Sequence, residues 1–155
     1  MTAIITAVLI PALVSLVVAL ITLFVFQPIQ GQKQLIGEID DATRYYRTAT
    51  SKVRADWKNQ GEREAAKAKA EEATQALLML SARLGASPAT FPARGKYYRL
   101  YEPFNLVASR ENVSKASSEL TAWAYWIRRG DSGAAQQHTQ QHRANVVKAL
   151  DLPRD

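Results

Sequence analysis

The chain contains no cysteine, which excludes disulfides, thiol nucleophiles and thiolate metal sites together. No Lys, Arg, Asp, Glu or His precedes Lys33. Histidine is limited to His138 and His142, so imidazole chemistry has one pair of residues to draw on. No glycine-rich phosphate loop and no Gly-x-Ser-x-Gly elbow occurs, and Glu102, Glu111 and Glu119 are not spaced as paired carboxylates for acid and base work. There is no run of alternating polar and apolar residues bounded by turn signals, which argues against a sheet. These absences point away from an enzyme, and no cofactor is expected.

What is present first is an apolar block. Residues 3–26 carry no ionisable side chain, and 24 helical residues reach about 36 Å, enough to cross a hydrocarbon core of about 30 Å. A transmembrane helix is therefore predicted over residues 3–27. A cleaved signal peptide would need a basic amino-terminal region, a shorter apolar core and a small-residue cleavage site. Here only Met1 and Thr2 precede the run, and Phe24-Val25-Phe26-Gln27-Pro28 is a poor cleavage context. Thr6, Ser15 and Thr22 are its only polar side chains, so it offers no proton relay or ion pathway. Pro11 removes one backbone donor and can kink the helix. Ala3 with Ala7, and Ser15 with Ala19, have the four-residue spacing of small residues that lets two helices approach.

Positive charge falls on the carboxyl side only, at Lys33, Arg44 and Arg47. By the positive-inside rule the amino terminus lies outside and the rest in the cytoplasm. Ten basic residues face eight acidic ones over positions 30–84, and ten face six over positions 85–155. That surplus suits an anionic leaflet as a neighbour and is too small to call for a nucleic-acid partner.

Pro28 and Gly31 predict a membrane-exit linker over residues 28–34. A soluble helical domain is then expected over residues 35–152. Leu35, Ile39, Ala42, Tyr46, Ala49, Val53 and Trp57 recur in steps of three and four, as do Ala66, Ala70, Ala73, Leu77, Leu80 and Leu84. They predict a hairpin of helices 35–58 and 62–84, turned at Asn59-Gln60-Gly61 and stopped by Gly85. Pro88, Pro92 and Pro103 mark residues 85–108 as a loop with a short turn of helix. Ser109 can cap a helix over 109–129 that carries Val113, Ala116, Leu120, Trp123 and Ile127 on one face. Asp131 or Ser132 can cap the last helix, 132–150. The fold class expected is all-α: one amino-terminal transmembrane helix and an antiparallel bundle of about four helices.

Two clusters stand out chemically. His138 and His142, four apart, share a helical face, but zinc takes three or four ligands and Thr139 occupies the place where catalytic versions of this spacing carry Glu. A metal site there is the lesser reading. Arg94, Lys96, Tyr97, Tyr98 and Arg99 interleave charge with aromatic rings, a composition suited to lipid headgroups at a membrane surface or to nucleic acid. The competing reading packs the tyrosines inside the loop and leaves the cations in water. Trp123 is expected in the core, with Trp126 pointing elsewhere.

The stretch Tyr98-Arg99-Leu100-Tyr101-Glu102-Pro103-Phe104, the segment 109–120 and the terminal 146–152 resemble the carboxyl-terminal part of uncharacterised bacterial membrane proteins that join one amino-terminal helix to a cytosolic helical domain. The resemblance covers about a third of the chain and implies an inner-membrane setting, with no activity and no site residues to carry over. The function expected is a membrane-tethered, non-enzymatic interaction module with the bilayer and a protein partner or second copy as its contacts. The alternative is a binder of anionic lipid headgroups or nucleic acid through the basic and aromatic loop.

Overall fold

A computed structural model describes residues 2–51, 60–93, 95–129 and 133–152. Five α-helices account for most of them: α1 (Thr2–Ile21), α2 (Gln27–Ser51), α3 (Gln60–Ala86), α4 (Arg110–Arg129) and α5 (Gly133–Ala149). No strand occurs among the described residues, so the all-α expectation holds. Of the turn expected at Asn59-Gln60-Gly61, Gln60 and Gly61 instead form the start of α3, two residues ahead of the expected 62, where Gln60 donates to Glu64 one turn on at 3.3 Å. Asn59, the end of the preceding helix and the expected caps Asp131 and Ser132 lie outside the described residues.

The linker expected over residues 28–34 is a continuous helix. α1 runs unbroken through Pro11, passes into one wide π-helical turn at Thr22–Phe26 and continues directly as α2. The wide turn is closed by the Gln27 N–H donating to the Thr22 carbonyl. A proline in a regular α-helix collides with the carbonyl four residues back and leaves it without a donor. Opening the turn just before Pro28 accommodates both problems without ending the helix. Gly31 has open space around it; it costs about 1 kcal/mol of helix propensity, which the burial of Ile29, Leu35 and Ile39 on the same helix outweighs. The result is a segment, Leu9–Arg47, long and apolar enough in its first half to cross a membrane.

That first half has no protein around it. Every described side chain from Leu9 to Phe24 is exposed, whereas Leu35, Ile39, Ala42 and Tyr46 further along are buried. α2 is thus one wall of a four-helix bundle in which α3 packs on α2, α4 on α3, α5 on α4 and α5 again on α2. The pairs are antiparallel. Glu38 takes both guanidinium nitrogens of Arg83, at 2.5 and 3.2 Å, while Tyr46, eight residues on, reaches back to Glu72. Ser117 meets Ser81 and His142 meets Glu119. One core runs through all four helices, built on Ile39, Leu77, Leu84, Leu120, Trp123 and Val146.

Gly85 does not stop α3, which continues to Ala86. The helix ends because Pro88 disfavours α geometry at Ser87. Gly85 serves packing instead, since a Cβ there would lie 3.2 Å from the Ser117 hydroxyl. This close approach lets Ser81, Ser117 and Thr121 join in a ladder of hydroxyl hydrogen bonds between α3 and α4, with Ser81 Oγ 2.8 Å from both the Ser117 carbonyl and Thr121 Oγ1. Ser109 caps α4 as expected, accepting from the Asn112 N–H at 3.1 Å, and Glu102 adds a second cap by accepting from the Arg110 N–H at 2.8 Å. An anionic acceptor is favoured at a helix amino terminus.

Candidate functional site

The segment between α3 and α4 folds as three short 3-10 turns, Ser87–Thr90, Tyr98–Leu100 and Glu102–Phe104. Pro88 and Pro103 start the first and third, and Gly95, at φ +80°, allows the chain to double back. A side chain at 95 would stand 2.2 Å from the Pro88 carbonyl oxygen, so only glycine fits.

This segment lies against the junction of α1 and α2. Phe91, Tyr98 and Val107 form a small core with Ile29, with Val25 and Tyr101 packed at its margin. Phe91 and Tyr98 meet edge to face with ring centres 4.8 Å apart, a favoured geometry for aromatic pairs.

A buried polar cluster locks the arrangement. Gln32, on α2, donates to the Tyr98 hydroxyl at 2.6 Å and to the Ser87 hydroxyl at 3.3 Å, and its carbonyl accepts from the Ala108 N–H at 3.2 Å. Tyr98 in turn donates to the Ala108 carbonyl. Arg110 closes the other side, donating to the Gly95 carbonyl at 2.7 Å with its guanidinium 5.8 Å from the Tyr98 ring centre. Burial raises the Tyr98 phenol above its ordinary value, against the opposing effect of the Gln32 hydrogen bond. It therefore stays a neutral hydroxyl, able to donate and accept at once, throughout the neutral range.

The interleaved charge and aromatic rings are thereby sorted onto two sides. Tyr98 is buried and drops out of the expected contact set, because its hydroxyl is needed inside the cluster. Lys96, Tyr97 and Arg99 are exposed; Arg94 lies outside the described residues. Leu100, Phe104 and Leu106, further along the same segment, are exposed as well. Those three lie on no helical repeat, whereas Gln32 continues the buried stripe of Leu35, Ile39 and Ala42 by a step of three and escapes notice because a polar side chain adds nothing to an apolar pattern.

His138 and His142 do come onto one face of α5, with ring centres 6.4 Å apart. Their neighbours differ. His138 stacks on Trp126 at 4.3 Å, which is where that tryptophan points, while His142 Nδ1 lies 2.6 Å from Glu119 Oε2. The carboxylate that the local sequence lacks is thus supplied from α4. Among the described residues no group of three or more potential ligands gathers to hold a metal, and the arrangement reads as a packed join between α4 and α5. A shallow cleft of about 500 Å³ lies beside Gly85, Arg110 and Ser117, where Arg110 and Ser117 are already bonded within the fold, to the Gly95 and Ser81 carbonyls.

Comparison with known protein families, with curated proteins and with solved structures gives no match.

Proposed function

We propose that this chain is a single-pass, membrane-tethered helical module without enzymatic activity, held in a bacterial inner membrane with its amino terminus outside and its bundle in the cytoplasm, where an exposed face binds a protein partner or a second copy. The observation that carries the reading is the unbroken passage of α1 through the π turn into α2. One helix is bare and apolar over its first half and a buried wall of the bundle over its second. Such an element holds a domain at a fixed height above the bilayer, which serves assembly more than it serves chemistry. Lys33, Arg44 and Arg47 after the span support the cytoplasmic placement. Leu78 and Met79 on α3, both large, apolar and exposed, offer a docking patch on the bundle.

Two experiments test this. A carboxyl-terminal reporter active only in the cytoplasm should work and one active only outside it should not; the reverse would overturn the orientation. A photocrosslinker at Met79 in native membranes should yield a discrete larger species, and a strictly monomeric product would contradict the interaction role.

A further inference from the structure

Four large exposed apolar or aromatic side chains fall within ten residues of the segment between α3 and α4. Phe104 is 74% exposed and Leu100 62% exposed, and Tyr97 and Leu106, three residues before and two after that pair in the chain, are exposed as well. Isolated exposed apolar residues need no explanation, but a cluster on a rigid, structured loop marks a contact surface. Its position along the long helix says which contact.

A helix centred in the bilayer on the midpoint of the apolar block 3–26, between Val14 and Ser15, crosses about 15 Å of hydrocarbon on each side, or about ten residues, and leaves the hydrocarbon near Phe24 or Val25. The headgroup layer adds about 5 to 7 Å, or about four residues, reaching to about Ile29. Those are the residues against which the segment packs: Val25 and Ile29 join Phe91, Tyr98 and Tyr101 in one cluster. The segment therefore sits at headgroup level. Gln32 and Arg110 fix it there through Tyr98, Ala108 and Gly95, so its outer face does not have to be ordered on contact. Charge agrees with this placement. Residues 91–101 contain Arg94, Lys96 and Arg99 and no Asp or Glu, and Glu102 is engaged on the Arg110 N–H.

We propose that this segment is a second membrane contact, a foot beside the span that inserts Leu100 and Phe104 at the boundary between headgroups and acyl chains while Lys96 and Arg99 meet anionic headgroups. It rests on the reading of α1 as a membrane span. Amphipathic elements bind such interfaces through buried apolar area together with attraction to anionic lipid, and tyrosines such as Tyr97 and Tyr101 favour the headgroup zone. The foot fixes the tilt of the bundle over the membrane, which a single helix crossing the bilayer leaves free to rotate.

The absence of cysteine makes the test direct. Single variants Leu100→Cys, Phe104→Cys, Met79→Cys and Val14→Cys of the full chain, each carrying an environment-sensitive fluorophore, are reconstituted into phosphatidylcholine vesicles with and without phosphatidylglycerol. Quenching is then read with lipids spin-labelled near the top of the acyl chain for positions 79, 100 and 104, and near its methyl end for position 14, which lies at the bilayer centre. Positions 100 and 104 should be quenched at least about twofold more than Met79, and more strongly with the anionic lipid present. Lys96→Glu combined with Arg99→Glu should remove that lipid dependence. Labels at 100 and 104 as unquenched as the one at Met79, beside a quenched Val14, would overturn the foot and leave the patch to a protein partner. An unquenched Val14 would instead overturn the span itself.

Discussion

Replacing Trp123 with alanine should lower the stability of the bundle by about 3 to 5 kcal/mol, the usual loss when a buried aromatic side chain is truncated in a core. Trp123 is 0% exposed and heads the largest buried side chains, on the helix that packs against both α3 and α5. Its indole N–H is buried with no hydrogen-bond partner among the described residues, a situation that costs about 1 to 3 kcal/mol. Trp123→Phe removes that orphan donor along with part of the ring, so its loss should stay below about 1.5 kcal/mol. Thermal unfolding of the two variants in detergent, followed by helix content, separates them. Equal losses would mean that the indole nitrogen is satisfied in solution.

The second large effect is expected at Gln32. Leucine there keeps the volume but strips a donor from Tyr98 and Ser87 and an acceptor from the Ala108 N–H, and each buried polar group left alone costs about 1 to 3 kcal/mol. A loss of about 2 to 4 kcal/mol should follow, concentrated in the segment over residues 91–107. Trypsin should then cut after Lys96 and Arg99 well before it cuts within the bundle. Tyr98→Phe should be non-additive with Gln32→Leu, since the two residues share one network. Additive losses and unchanged proteolysis would show that the loop is held by its apolar contacts alone.

Helix existence was legible in the sequence because it is written locally. The steps of three and four that mark Leu35 to Tyr46 and Val113 to Ile127 are the residues found buried, and Ser109 caps the helix it precedes. Punctuation was less legible, because a proline or glycine states a local preference that the surroundings can override. Pro28 breaks a regular α-helix but not one that opens a π turn before it, and Gly85 looks like a stop but is needed for the approach of Ser117. The site was least legible. Gln32 finds Ser87, Tyr98 and Ala108 at separations of 55 to 76 residues, and Glu119 finds His142 across 23. No periodicity or motif encodes such pairings, which exist only once the bundle has formed. The stretch around Tyr97 and Tyr98 was visible as a composition, yet its division into one buried and one exposed tyrosine depends on a partner in another helix.

The claim on which the rest depends is that the apolar span and the bundle share one rigid helix. Spin labels at Leu13→Cys and Asp41→Cys, 28 residues apart on either side of Pro28 and both exposed, measure it by dipolar spectroscopy of the full chain in lipid nanodiscs. A single narrow distribution centred at about 42 Å is expected for an uninterrupted helix. A broad distribution shifted to shorter distances would mean that residues 28–34 are a flexible linker and that the bundle hangs freely from its anchor.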